Sequence, residues 1–238
     1  MVRNAALSVA LPNTAPFSLD PASVVDFNAI REAECVKDPY PHLFAPHALL
    51  HSAKQDLQHD FPDITRPGFF PLSEMKVAGA FAALIDDLSS DEFAAILEDK
   101  FEMKLRDKSR LITVRRWSAA QDGRIHNDSE SKIATALIYL NDDWGRSGAG
   151  CLRVLRSENS FDDCVREVPP TTGALIAFRR TENSWHGHMP FVGERRVVQM
   201  AYLRSQADFD RKSRRGRWSL FLKKLNPLGR MNSSEARP

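Results

Sequence analysis

From Arg110 to Leu203 the chain changes its rhythm, and that change constrains the fold more than any other feature. RLITVRRWSA, starting at Arg110, alternates and is rich in β-branched residues, the pattern of a strand with two different faces. Further strand candidates are Ile133 to Leu140, Cys151 to Leu155, Gly173 to Phe178 and Arg196 to Leu203. Turn signals separate them at Asp122-Gly123, Asn141 to Gly150, Pro169-Pro170 and Gly193. Short strands at this spacing close into a sandwich or barrel, and a double-sheet jelly roll of cupin type is one such solution.

The preceding residues read differently. Residues 1–37 mix Pro, Asn and Ser with short apolar runs, which predicts an irregular arm with one short helix around Val24 to Glu34. Asp38-Pro39-Tyr40-Pro41-His42 is a turn-rich entry. Pro46 to Phe61 suits a helix with Pro in its first turn and Leu49, Leu50, Leu57 and Phe61 as its apolar stripe. His47, His51 and His59 then fall on its polar face. A second helix is expected from Ser73 to Leu88, with Phe81, Leu84, Ile85 and Leu88 inward. Ser89-Ser90-Asp91-Glu92 resembles a capping box opening a third helix to Phe101. The expected class is α+β with a mainly β core and N-terminal helices packed on its outer face.

Composition adds bounds. The 238 residues carry a net charge of +2, so the chain as a whole is no polyanion binder. Charge is uneven, however. Arg204 to Arg230 holds nine Lys or Arg against two Asp, so a mildly acidic body carries a basic tail. RWSLFLKKL, Arg217 to Leu225, is a candidate amphipathic helix there, and the tail is a candidate contact for an anionic partner. The cysteines, Cys35, Cys151 and Cys164, are odd in number and widely spaced, which favours three thiols and a cytoplasmic setting over a disulfide framework. No apolar run is long enough for a transmembrane helix, and VRNAALSVALP is too short and weakly apolar for a signal peptide.

Three positions offer a shared metal site: His126, Asp128 and, far down the chain, His186. Residues two apart on an extended strand point to one face, so His126 and Asp128 can reach one ion. Two imidazoles and one carboxylate leave other coordination positions open, a set suited to non-haem Fe(II) with dioxygen. His188 is a rival ligand on the same face as His186. Arg195 and Arg196 follow, either of which can hold the far carboxylate of an oxo-acid that chelates the same metal. Neighbours on a strand face opposite ways, so only one of them points inward.

These residues together resemble the 2-oxoglutarate- and Fe(II)-dependent oxygenases, in the prolyl-4-hydroxylase-like branch. Tyr139-Leu140-Asn141-Asp142-Asp143-Trp144 after the HxD, then a glycine-rich turn and Leu152-Arg153-Val154, is similar to that branch. So are Pro169 to Phe178 and His186 followed by Pro190, Gly193 and an arginine. The resemblance covers residues 110–204. It implies a double-stranded β-helix, Fe(II) ligands at His126, Asp128 and His186, and 2-oxoglutarate and O2 as co-substrates, with ascorbate as an accessory reductant the family allows. Tyr139 is implied as a donor to the far carboxylate of 2-oxoglutarate. For the clamp, Gly-x-Arg favours Arg195, but the family's aromatic six positions further on favours Arg196, because Tyr202 stands there, and Arg196 is the expected clamp. Trp117 stands where many relatives carry a tyrosine, and it lacks a hydroxyl.

The expected organisation is an arm over 1–37, an oxygenase domain over 38–204 with its motif core at 110–204, and a basic tail over 205–238. The implied reaction is hydroxylation of an unactivated C–H bond of a small molecule, a glycan-type compound or a peptidyl side chain, with release of succinate and CO2. The alternative reading is a catalytically silent jelly-roll binding protein that uses its basic tail.

Overall fold

The computed structural model describes residues 23–145 and 148–213. Its first part is helical with short strands: α1 (Phe27–Glu32), β1 (Cys35–Val36), β2 (His42–Ala45), a 3-10 turn at His51–Ala53 leading into α2 (Lys54–His59), β3 (Phe70–Pro71), α3 (Gly79–Ser89) and α4 (Asp91–Phe101). The second part is all strand: β4 (Ser109–Ser118), β5 (Lys132–Tyr139), β6 (Leu152–Leu155), β7 (Cys164–Val168), β8 (Leu175–Arg179), β9 (His186–His188) and β10 (Gly193–Leu203). Residues 206–213 are helical. The expected amphipathic segment Arg217 to Leu225 lies outside the described residues.

Local chemistry sets the helix boundaries. Ser90 separates α3 from α4: its Oγ donates to the Asp87 carbonyl (2.7 Å) and accepts from the Phe93 N–H (3.0 Å). Asp91 and Glu92 then sit in the first turn of α4, where the helix dipole favours acids. α3 begins at Gly79 rather than Ser73. The Asp60 carboxylate, from beyond the end of α2, accepts from the Ala80 N–H at 2.8 Å. A Cβ on Gly79, at φ +54°, would stand 2.2 Å from that carboxylate. The helix expected from Pro46 starts only at His51, because the Ala48 N–H donates to Gly173 and the Leu50 N–H to Val24, which holds those residues extended.

The strands form two antiparallel sheets. One has seven strands in the order β1-β2-β8-β5-β10-β4-β3, and the other has three in the order β7-β6-β9. Period-two alternation splits the large sheet between two cores. Ala134, Ala136 and Ile138 on β5, Leu175 and Ala177 on β8, and Val198, Met200 and Tyr202 on β10 pack beneath the helices with Leu57, Phe81, Leu84, Phe93, Leu97 and Phe101. Leu137 and Tyr139, Ile176 and Phe178, and Val197 face the other way, onto Leu152 and Val154 of the small sheet and Val168. Helices outside a double-stranded β-helix are therefore the architecture. Val24, Val25 and Ile30 are buried in the helix-side core, so residues 23–36 pack onto the body.

Candidate metal centre and oxo-acid pocket

β9 places the site. It is only His-Gly-His, and it pairs with β6, Val154 opposite His186 and Leu152 opposite His188. On its other edge His126 and His186 exchange both backbone hydrogen bonds, each 3.0 Å. This stitches the loop after β4 to β9. Gly187 permits it, since a Cβ there would meet the Gly123 carbonyl oxygen at 2.6 Å. The result is that one ligand atom each of His126, Asp128 and His186 lies within 4.8 Å of the others. His188 is outside that cluster.

The hydrogen bonds set the donor states. His126 Nδ1 lies 2.8 Å from the Arg124 carbonyl and His186 Nδ1 lies 2.9 Å from the Ser184 carbonyl. A carbonyl only accepts, so each Nδ1 carries a proton and Nε2 is the nitrogen left to ligate. Burial pushes the His186 pKa down to about 4, outweighing the Asp128 charge that raises it. Burial alone would raise the Asp128 carboxyl. The Lys132 charge, with hydrogen bonds from Lys132 and Thr135, holds it well below the usual carboxylate range instead. Lys132 Nζ is 2.6 Å from Oδ1 and Thr135 Oγ1 is 2.6 Å from Oδ2. Two imidazoles whose Nδ1 atoms are engaged by carbonyls and an ionised carboxylate suit a divalent cation, and the mixed N/O donor set suits Fe(II).

Beside this cluster lies a cavity of about 290 Å3, lined by Arg115, Arg195, Lys132, Gln199, His186 and His188 among others. Arg195, not Arg196, is the arginine that points into it. Arg195 is 2% exposed; its Nε donates to the Gly150 carbonyl (2.8 Å), and a terminal nitrogen is 3.3 Å from the Tyr139 hydroxyl. Arg196 lies on the opposite face, donating from Nε to Glu194 (2.8 Å) with its guanidinium over the Phe61 ring. The pleat of β10 therefore turns Arg195 to the cavity and the expected Arg196 away from it. Val197 faces the barrel interior, so Arg195 does too. Tyr202 shares the face of Arg196, under the helices, and its position says nothing about the pocket.

Tyr139 is fully buried, and burial raises its pKa despite the opposing Arg195 charge. It remains a neutral hydroxyl donor. Trp117 stays at the end of β4, bridged to Pro67. His47, His51 and His59 are exposed, remote from the cluster in the sequence and outside it in the fold. Sequence reasoning passed over Thr135, Lys132 and Asn127. Thr135 was legible by period two, since it shares a face with Leu137 and Tyr139.

Residues 112–204 match the family model of the 2OG-Fe(II) oxygenase superfamily. No curated protein matches the chain. Among solved structures, a prolyl 4-hydroxylase of Phytophthora capsici is similar at 16% identity and TM-score 0.53, covering 88% of this chain and 78% of its own. A Pseudomonas putida prolyl-4-hydroxylase is similar at 18% identity and TM-score 0.49, covering 69% and 88%. HygX of Streptomyces hygroscopicus, solved with nickel, 2-oxoglutarate and hygromycin B, is similar at 15% identity and TM-score 0.47, covering 69% and 83%.

The matched segment coincides with the strands of the double-stranded β-helix, the fold shared with the Phytophthora structure. Over residues 112–204, somewhat under half of its length, the chain is similar to the 2OG-Fe(II) oxygenase superfamily. Among the described residues, no helix is long and apolar enough to cross a membrane.

Proposed function

We propose that this protein is a 2-oxoglutarate-dependent dioxygenase that hydroxylates an unactivated C–H bond, with His126, Asp128 and His186 as its Fe(II) ligands. The observation that carries the reading is the convergence of those three donors beside an inward-facing Arg195–Tyr139 pair. His126 and His186 would bind through Nε2, and Asp128 through a carboxylate oxygen. Bound Fe(II), with 2-oxoglutarate and O2, supplies the oxidising power, and the balance is R–H + 2-oxoglutarate + O2 → R–OH + succinate + CO2.

The chain's own residues bind and orient. Arg195 supplies a charge-assisted fork for the far carboxylate of the oxo-acid, and Tyr139 donates its hydroxyl to the same group. Thr135 and Lys132 fix the rotation of the Asp128 carboxylate. Phe178 packs against the His186 ring, centroids 4.5 Å apart, and keeps water from its buried side. The substrate is a small molecule, a glycan-type compound or a peptidyl side chain.

The test is succinate release from 2-oxoglutarate by the full chain, which should require Fe(II). Asp128→Ala should lose both iron and turnover. Undiminished turnover in that variant would reject the ligand assignment.

A further inference from the structure

The cavity beside the metal centre holds more positive charge than one clamp needs. Arg115 on β4 and Arg195 on β10 both line it, and both are buried, at 8% and 2% exposure. The carboxylate next to Arg115 is Asp122, whose Oδ1 is 3.5 Å from a terminal nitrogen. Ser118 Oγ is also 3.5 Å away. Both contacts are long for a guanidinium. Arg115 Nε is buried without a hydrogen-bond partner. The guanidinium is held over the Phe69 ring, 4.2 Å from its centroid, a placement that orients it without satisfying its N–H groups.

Burial lowers the Arg115 pKa to about 10, with Asp122 opposing and Arg195 adding to the shift, so the group stays charged at neutral pH. Two guanidiniums against one carboxylate leave one uncompensated positive charge in a buried space, which is costly. His188 Nε2 also lines this cavity and is buried without a partner. Its Nδ1 lies 2.9 Å from the Met189 carbonyl, so Nε2 is a lone pair and cannot receive an anion. With Lys132 paired to Asp128 at 2.6 Å, the cations left for an entering carboxylate are the arginines.

We propose that Arg115 is a second binding residue for the far carboxylate of the oxo-acid, so that this pocket holds its co-substrate between two guanidiniums rather than one. One ligand carboxylate then balances the charge that Asp122 leaves over. The inference rests on the function proposed above and adds Arg115 to it. A consequence is steep selection for a dicarboxylic oxo-acid over a monocarboxylic one of equal length.

The experiment is equilibrium titration of the Mn(II)-loaded full chain, without oxygen, with 2-oxoglutarate and with 2-oxopentanoate, which carries a methyl in place of the far carboxylate. Arg115→Met should weaken 2-oxoglutarate by about tenfold to a hundredfold, the range of a charge-assisted hydrogen bond. It should leave 2-oxopentanoate unchanged. Equal loss for both ligands would mean a packing role, and no loss for 2-oxoglutarate would mean no role; either overturns the proposal. Should Arg115→Met not fold, Arg115→Lys carries the test. It keeps the charge without the fork and should weaken 2-oxoglutarate alone; unchanged or equally weakened binding of the two ligands overturns the proposal there too. If the unmodified chain binds no 2-oxoglutarate, the function proposed above falls first, and that result is distinct from a failure of Arg115 alone.

Discussion

Asn127 and Ser184 tie the two halves of the candidate metal centre together: Ser184 Oγ donates to Asn127 Oδ1 at 2.6 Å. Asn127 stands between His126 and Asp128, and Ser184 precedes His186 by two residues. The Asn127 amide also donates to the Thr181 and Glu182 carbonyls, at 2.7 and 2.8 Å. The central residue of the HxD therefore clasps the loop that delivers the distant histidine.

Loss of that clasp should loosen the site without removing a ligand. Asn127→Ala is expected to weaken metal binding by about tenfold to a hundredfold, the usual effect of deleting a residue that orients ligands. Titration with Mn(II) would read it. Unchanged affinity would show that the backbone bonds between His126 and His186 suffice alone.

The two neighbouring arginines should separate cleanly. Arg195→Met should weaken 2-oxoglutarate by at least about tenfold, since it removes an ionised partner from a buried carboxylate. Arg196→Met should leave that affinity intact and cost about 1 kcal/mol or less of stability, because its ion pair with Glu194 is partly solvated. Paired binding titrations and melting curves test both halves.

How much of this was legible in the sequence differs from element to element. β4, β5, β8 and β10 carry enough apolar periodicity to be read directly, because both faces of the large sheet are covered. β9 does not. His-Gly-His has no apolar pattern, and its strand character comes from β6 and from the His126 backbone. β2 was hidden in a turn-rich stretch and owes its form to pairing with β8. Which of Arg195 and Arg196 faces inward depends on the phase of β10, which the positions of Val197 and Tyr202 fix only once the fold is known. Tyr202, the aromatic six residues beyond Arg196, belongs to the helix-side core.

Acid should destabilise the metal-free chain in a defined window. His186 and His188 each have a folded pKa of about 4 against an ordinary 6.5, chiefly through burial. The unfolded chain therefore binds more protons between those values. Stability is full above about pH 6.5 and falls as pH drops toward 4, by up to roughly 1.4 kcal/mol per pH unit for each histidine. His188→Gln should remove its share of that slope in urea unfolding measured across this range. A slope equal to that of the unmodified chain would contradict the burial of His188.

Gly187→Ala should act on the metal without touching a ligand side chain. The added methyl would meet the Gly123 and Arg124 carbonyl oxygens at 2.6 and 3.0 Å, so one strand must retreat and carry His126 with it. Metal affinity should fall by about tenfold or more, consistent with a site that tolerates little displacement. Manganese titration beside a melting curve would distinguish this from general unfolding.

Because the seven-stranded sheet is greasy on both sides, the stretch that matches the oxygenase model is not a portable cassette. Cut free of α3 and α4, it would present Ala136, Met200, Tyr202 and their neighbours to water as one broad sticky wall. Any shortened version for biochemistry has to keep the helical half, even though His126, Asp128 and His186 all lie outside it.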